Sequence, residues 1–120
     1  MANNFLKDKS LAFAIRIVNL YKYLAEENKE FVLSKQLLRC GTSVGAMMRE
    51  AEHSESKPDF IHKLSIAQKE INETLYWLEL LLATKYLTLK EFNSINEDAV
   101  ELIKLITASL KTTKSKLKYH

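Results

Sequence analysis

The chain has 120 residues, of which 47% are apolar and 28% are charged, a composition that fits one globular domain and excludes a disordered chain. Only two glycines and one proline occur, which is too few for the turns of a protein built from β-hairpins, so a few long helices are expected instead. The net charge is modest, at +3, and the single cysteine, Cys40, excludes an intramolecular disulfide and a multi-thiolate metal site.

Hydrophobic periodicity predicts four helices within a single domain that spans residues 1–120. Their predicted bounds are about 8–27, 34–54, 57–84 and 88–115. The links between them are short, and short links join helices that lie side by side and run in opposite directions. The expected fold is therefore an all-α, antiparallel, up-down-up-down four-helix bundle.

The first predicted helix carries two apolar stripes that lie side by side, each with three- and four-residue spacing. One stripe consists of Leu11, Ala14, Ile15, Val18 and Tyr21, and the other consists of Phe13, Ile17, Leu20 and Leu24. So wide an apolar face predicts contact with more than one neighbouring helix.

The second predicted helix starts at Ser34, a residue type that is favoured as an N-cap. It contains Gly41 and Gly45, four residues apart on one face. A glycine inside a helix costs about 1 kcal/mol relative to alanine. The pair therefore indicates either a break in the helix or the close approach of a neighbouring helix, which the missing Cβ permits. Leu37 and Val44 keep the helical phase across this segment, which favours a continuous helix with a close neighbour.

The third predicted helix has Ser56 as its N-cap, with Asp59 as the acid of a capping box. Its apolar stripe is Phe60, Leu64, Ala67, Ile71, Leu75, Leu78 and Leu82. Further apolar side chains broaden the surface at the far end of this helix, and we expect a subunit interface to cover them; they are Tyr76, Trp77, Leu80 and Leu81. Thr88 and Glu91 form a second capping box, which predicts the start of the fourth helix.

Arg39 is expected to lie level with Glu70 and Glu73 when the second and third helices pair in antiparallel fashion. Two carboxylates one turn apart are a candidate acid–base pair, or, with the arginine, a partly buried clamp that fixes the register of two helices. We interpret the group as a clamp because no nucleophile or oxyanion donor accompanies it. Glu50 and His53 have the spacing of a di-iron ligand pair, but a second such pair is missing. We therefore predict no enzymatic activity, no catalytic residue, no metal site and no cofactor.

Positive charge is concentrated in the last ten residues, which contain no acid. Their lysines are Lys111, Lys114, Lys116 and Lys118. Such a cluster suits either phosphate binding, with release of counterions, or the solvated end of a helix, whose dipole favours positive charge. Together with Arg16 and Lys22 of the first helix, these lysines are the candidate nucleic-acid-binding residues.

Neither a membrane span nor a signal peptide is visible. A span needs roughly 20 apolar residues, and the longest apolar candidate, residues 78–83, is interrupted by Glu79. The residues near the N-terminus lack the apolar segment of a secretory signal. We therefore expect a cytoplasmic protein that does not associate with membranes.

The middle of the chain contains small residues, an arginine and paired acids at fixed offsets. The segments are Gln36-Leu37-Leu38-Arg39-Cys40-Gly41-Thr42-Ser43-Val44-Gly45-Ala46, Glu50-Ala51, Asp59-Phe60-Ile61, Lys69-Glu70, Glu73 and Tyr76-Trp77-Leu78. In this pattern the chain resembles the four-helix-bundle proteins that are encoded in intervening sequences of bacterial 23S ribosomal RNA. The resemblance covers the second and third helices and extends, in length and order of segments, over the whole chain.

This resemblance implies an antiparallel bundle that assembles into a ring, typically a homopentamer. Relatives of the family include the accessory variability proteins of diversity-generating retroelements, which are basic pentamers that engage nucleic acid and a reverse transcriptase. The resemblance and the basic segment together predict a non-enzymatic, homo-oligomeric scaffold that binds nucleic acid, with structured RNA as the favoured partner and DNA as the other nucleic acid left open. The alternative is an adaptor for protein–protein interactions with no nucleic-acid role.

Overall fold

Four helices account for nearly the whole chain. The structure, a computed structural model, describes residues 4–118, so that residues 1–3 and 119–120 of the predicted domain lie outside it. The helices are α1 (Asn4–Glu26), α2 (Leu33–Glu52), α3 (Lys57–Ala83) and α4 (Leu89–Lys118). Helix α2 packs closely against α1 and α3, and α3 packs closely against α4, while α1 and α4 touch each other only loosely. The predicted up-down-up-down four-helix bundle is confirmed.

The two ends of the bundle bring different segments together. One end holds the start of α1, the link 53–56 and the last turns of α4, and we call it the basic end. The other end holds the links 27–32 and 84–88, and we call it the link end. The two links meet there, because the Asn28 side-chain amide donates to the Tyr86 carbonyl oxygen at 3.4 Å. Within residues 4–118, no helix combines the length and the apolar character needed to cross a membrane.

Capping residues set the starts of α3 and α4, as predicted. Ser56 Oγ accepts from the Asp59 backbone N–H at 3.2 Å, but the Asp59 carboxylate accepts from the Glu55 N–H at 3.1 Å and not from that of Ser56, so the capping box predicted for α3 is only half formed. Thr88 Oγ1 accepts from the Glu91 N–H at 3.1 Å, and the Glu91 carboxylate accepts from the Thr88 N–H at 2.8 Å, which completes a capping box. Helix α1, by contrast, begins before the predicted residue 8, because Leu6 is buried and extends the core by another turn.

The predicted capping role of Ser34 is wrong. Helix α2 begins one residue earlier, and the buried Ser34 hydroxyl donates to the Glu30 carbonyl oxygen at 2.8 Å. The cap is instead the Glu30 carboxylate, which accepts from the backbone N–H groups of Val32, Leu33 and Ser34 at 3.1, 3.0 and 2.7 Å. Lys29, with a φ of 55°, turns the chain just before this residue. The carboxylate thus partners helix-start amides that have no intrahelical acceptor, at the positive end of the helix dipole.

Only one of the two apolar stripes of α1 enters the core. Phe13, Ile17 and Leu24 are buried, whereas Leu11 and Ile15 remain 46% and 53% exposed. Ile17 faces α2 and Arg16 faces α4, and the helical turn places Leu11 and Ile15 on the opposite side of α1, where no neighbouring helix covers them among the described residues. Helix α1 contacts both α2 and α4, so the prediction that it has more than one neighbouring helix is confirmed.

Gly41 and Gly45 lie within a continuous helix and face α1. A Cβ placed on Gly41 would lie 2.8 Å from Ile17 Cγ1 and 2.9 Å from its Cγ2, which is closer than side chains pack. A Cβ on Gly45 would lie 3.4 Å from the Ser10 carbonyl oxygen, which is an ordinary contact. The close approach predicted for the glycine pair is therefore present, and Gly41 is the position where it excludes a larger residue.

The apolar surface at the far end of α3 is smaller than the sequence suggested. Leu81 is fully buried in the core, as is Thr74 two turns earlier, while Trp77 and Leu80 are half-buried. Only Tyr76 of the four residues assigned to an interface is exposed, at 57%. Among the described residues, the middle of the bundle therefore presents more apolar surface on α1 than on α3.

Candidate nucleic-acid interface

The last turns of α4 present lysines to solvent at the basic end. Lys111, Lys114 and Lys116 are exposed, and the side chain of Lys118 lies outside the described residues. None of these three lysines makes an ion pair with another part of the chain that the structure describes. With no acid on this stretch of helix, their charges are available for an external anion.

Two further lysines lie at the same end, and sequence reasoning missed both. Lys57 is exposed in the first turn of α3, and Lys7 lies in α1, where its Nζ is 3.2 Å from the Glu52 carboxylate. The signal that points to them is topological. In an up-down-up-down bundle the starts of α1 and α3 lie beside the end of α4, so lysines distant in sequence share one end.

A cavity of about 580 Å³ opens between these segments. Its rim carries Lys7, Lys57 and Lys116, together with Glu52 and Glu55. The floor is apolar and includes Met48, Ala51 and Phe60. The basic end thus combines a lysine-rich surface with a recess large enough for a small ligand.

Arg16 and Lys22, the two candidates on α1, do not share a surface with the lysines of α4. Arg16 Nη1 donates to the Asp98 carboxylate at 2.7 Å, and its Nη2 donates to Ser94 Oγ at 2.9 Å, so this guanidinium ties α1 to α4. Lys9 and Glu101 form another ion pair between the same helices. Lys22 is exposed, but it lies roughly 22 Å along α1 from Lys7, given a rise of about 1.5 Å per residue, and thus near the link end.

The structure brings together the three residues of the predicted clamp. Arg39 Nη1 donates to Glu70 at 3.1 Å and Nη2 donates to Glu73, so the guanidinium bridges two carboxylates. The Trp77 indole N–H donates to Glu73 at 3.0 Å, and this bond, together with Arg39, lowers the pKa of the Glu73 carboxyl. The clamp is partly buried, as expected: the side chain of Arg39 is 52% exposed and that of Glu70 is 15% exposed. A fully paired group of this kind links α2 to α3.

The Glu50–His53 pair is not arranged as a ligand set. Glu50 accepts from Lys63 Nζ at 3.0 Å, which ties α2 to α3. His53 is exposed just beyond the end of α2. Within residues 4–118, no group of three or more His, Cys, Asp or Glu side chains is placed to hold a metal ion.

Comparison with known proteins supplies the family. The family model of the 23S rRNA-intervening sequence protein matches residues 3–108. A crystal structure from Bacteroides thetaiotaomicron, of a protein with unknown function from the S23 ribosomal protein family, has a TM-score of 0.90 and 59% sequence identity, and the match covers 92% of this chain and 99% of that one. No curated protein sequence matches the chain. The match over residues 3–108 means that the chain belongs to the 23S rRNA-intervening sequence protein family.

Proposed function

We propose that the chain is a non-enzymatic, homo-oligomeric helical scaffold that binds structured RNA through its basic end. The observation that carries this proposal is the exposure of Lys111, Lys114 and Lys116 on a helix end that holds no acid. The family supports it, because its proteins are named for an intervening sequence of ribosomal RNA. A protein that binds ribosomal RNA would act in the cytoplasm.

The chemistry proposed for the basic end is phosphate binding. Lysine ammonium groups that neutralise phosphates release condensed counterions, so the logarithm of the binding constant falls linearly with the logarithm of the salt concentration. Double-stranded RNA is recognised by shape and backbone more than by base edges, which suits a surface of exposed lysines. We therefore expect binding that depends steeply on salt and weakly on sequence.

The test is titration of a labelled RNA hairpin by fluorescence anisotropy at several salt concentrations. Replacing Lys111, Lys114 and Lys116 by glutamine should weaken binding and reduce the salt slope by about two to three. The matched control replaces Lys35, Lys85 and Lys90, which are exposed at the link end, and changes the net charge equally. Absence of binding at low salt, or equal losses in both variants, would contradict the proposal.

Homo-oligomer formation is supported by the exposed stripe on α1. Leu11 and Ile15 lie one turn apart and present apolar surface that the described chain does not cover. Burial of apolar surface is the main driving force for association, and the family resemblance favours a pentameric ring. The mass of the protein in solution tests this part of the proposal.

The alternative function is an adaptor that binds other proteins, and the exposed apolar side chains at the link end support it. Val32 and Leu89 are 71% and 63% exposed there, and Phe31 is 49% exposed. A pull-down from the native host, with and without nuclease, separates the two functions. Partners that are lost after nuclease treatment support the RNA-binding scaffold, and partners that are retained support the adaptor.

A further inference from the structure

The cavity at the basic end differs from the other recesses of the bundle in its lining. Those between α1 and α4 are smaller, at about 270 and 460 Å³, and the one between α3 and α4 measures about 480 Å³. The cavity at the basic end measures about 580 Å³ and carries both an apolar floor and a charged rim. A volume of that size lies in the range of small-molecule sites.

The floor of this cavity offers one aromatic face. Phe60 lies in the first turns of α3 and is half-buried, so one part of its ring packs on the core while the rest contacts the recess. Met48 and Ala51 of α2 line the recess beside it. Aromatic side chains of this kind stack with nucleobases, and the apolar neighbours exclude water from the stacked face.

The rim offers groups for the polar parts of the same ligand. Lys57 and Lys116 approach from two helices and carry positive charge that no ion pair within the described residues takes up. Glu55 and Ser54, in the link between α2 and α3, add a carboxylate and a hydroxyl to the lining. A phosphate matches the lysines, and ribose hydroxyls, which both donate and accept, match the link.

We propose that this cavity binds one ribonucleotide unit, with its base on Phe60, its phosphate at Lys57 and Lys116, and its ribose hydroxyls at Ser54 and Glu55. The unit is either a free ribonucleoside monophosphate or the terminal nucleotide of an RNA chain. In the second case the inference rests on the proposed function and adds to it a pocket for the RNA end. The lysines of α4 that lie outside the cavity would then hold the adjoining backbone.

The test is isothermal titration of the full chain with AMP, adenosine and dAMP at low salt. AMP should bind saturably, adenosine should bind more weakly because it lacks the phosphate, and dAMP should lose the contribution of the 2′-hydroxyl. Lys57→Ala and Lys116→Ala should each weaken AMP binding by about tenfold, the loss expected for one charge-assisted hydrogen bond. Lys114→Ala is the matched control, because Lys114 lies on the same turn as Lys116 but outside the cavity lining.

A second variant fills the recess without removing a charge. Ser54→Trp, in the link and away from the core helices, should abolish AMP binding and leave the helical circular dichroism unchanged. The same variants, titrated with an RNA oligonucleotide that carries either a 5′-phosphate or a 5′-hydroxyl, distinguish the two sources of the nucleotide. Preference for the phosphorylated end, lost in Ser54→Trp, assigns the cavity to the RNA terminus.

The outcomes of these titrations distinguish the cavity proposal from the proposal of an RNA-binding scaffold. If RNA binds but AMP does not, or if Ser54→Trp binds AMP as well as the unaltered chain, the cavity proposal is overturned and the RNA-binding scaffold stands. If AMP binds as described but no RNA hairpin does, the RNA scaffold fails and the cavity is a site for free nucleotides.

Discussion

Ile17 packs directly against Gly41, with its Cγ1 2.8 Å from the place where a Cβ would stand. The Ile17 side chain is fully buried, so it cannot move aside without disturbing the core. Gly45 lies one turn along the same face, and a Cβ placed on it would be 3.4 Å from the nearest atom of α1. The two glycines therefore have different consequences for substitution.

Gly41→Ala should lower the free energy of unfolding by about 1–3 kcal/mol, the usual cost of overpacking a core. Gly45→Ala should instead raise it by about 0.5–1 kcal/mol, because alanine favours the helix and meets only an ordinary contact. Urea denaturation of both variants checks the pair. Equal effects at the two positions would mean that the contact between Ile17 and Gly41 does not limit the approach of α1 to α2.

The Glu30 cap makes part of the stability pH-dependent. Burial raises the pKa of this carboxyl, but hydrogen bonds from the backbone of Leu33, Ser34 and Val32 outweigh burial, so that the pKa is lowered from 4.5. Because the folded pKa is depressed, the contribution is present above the unfolded value and is lost as the pH falls through the folded value.

Glu30→Gln should therefore cost about 1–2 kcal/mol at neutral pH, as the loss of a helix cap does. The difference from the unaltered chain should shrink as the pH falls below about 4.5, since protonation removes the same charge. Thermal denaturation across this pH range checks the prediction, with the exposed Glu27→Gln as control. A difference that persists unchanged at low pH would mean that the carboxylate charge is not what stabilises the start of α2.

Arg39→Leu should destabilise the bundle only slightly, by about 1 kcal/mol or less, because a half-exposed ion pair is screened by solvent. The clearer readout is the Glu73 carboxyl, whose pKa should rise toward its ordinary value while the Trp77 N–H still holds it partly down. Side-chain NMR titration measures this shift. Arg49→Leu, at an exposed position near the end of α2, is the control and should leave Glu73 unchanged.

The Arg16→Gln variant should change the stability of the bundle but not its affinity for RNA. Since Arg16 is occupied by Asp98 and Ser94, its loss should reduce stability by up to about 1 kcal/mol and leave RNA affinity as it was. Asp98→Asn should reproduce the loss of stability, whereas Lys114→Gln should show the opposite pattern. A marked drop in RNA affinity for Arg16→Gln alone would show that the binding surface extends along α1.

Leu11→Gln with Ile15→Gln should reduce the mass of the assembly in solution without loss of helix content, because both side chains are exposed in the single chain. Sedimentation velocity checks the mass. The control replaces Val32 and Leu89, which are exposed at the link end, by glutamine. If the unaltered protein is a monomer, or if only the control dissociates, α1 is not the subunit interface.

Features that depend on neighbouring residues were the ones that could be predicted from the sequence. The N-cap at Ser56 and the capping box at Thr88 involve residues three apart, and the helical periods around them define the four segments. The pairing of Arg39 with Glu70 and Glu73 followed as well, because antiparallel helices with a short link have their register set by that link.

Features that depend on how helices sit against each other could not be predicted in the same way. Two apolar stripes on α1 are equivalent in sequence, and only the placement of α2 and α4 around the helix leaves Leu11 exposed while Ile17 is buried. Glu30 caps α2 from a position outside the helix. Sequence reasoning chose Ser34 instead, because serine is a more usual N-cap residue type than glutamate. The contribution of Lys7 and Lys57 to the basic end likewise required the topology, because neither lies in a run of positive charge.

The antiparallel order of the helices has a practical consequence for labelling. Residues 4 and 118 both lie at the basic end, so a purification tag or fluorophore joined to either terminus would crowd the surface whose binding is to be measured. Ala83→Cys, exposed at the end of α3, would carry a probe at the link end instead. Maleimide chemistry should be selective there, because the native thiol of Cys40 is fully buried and burial raises its pKa.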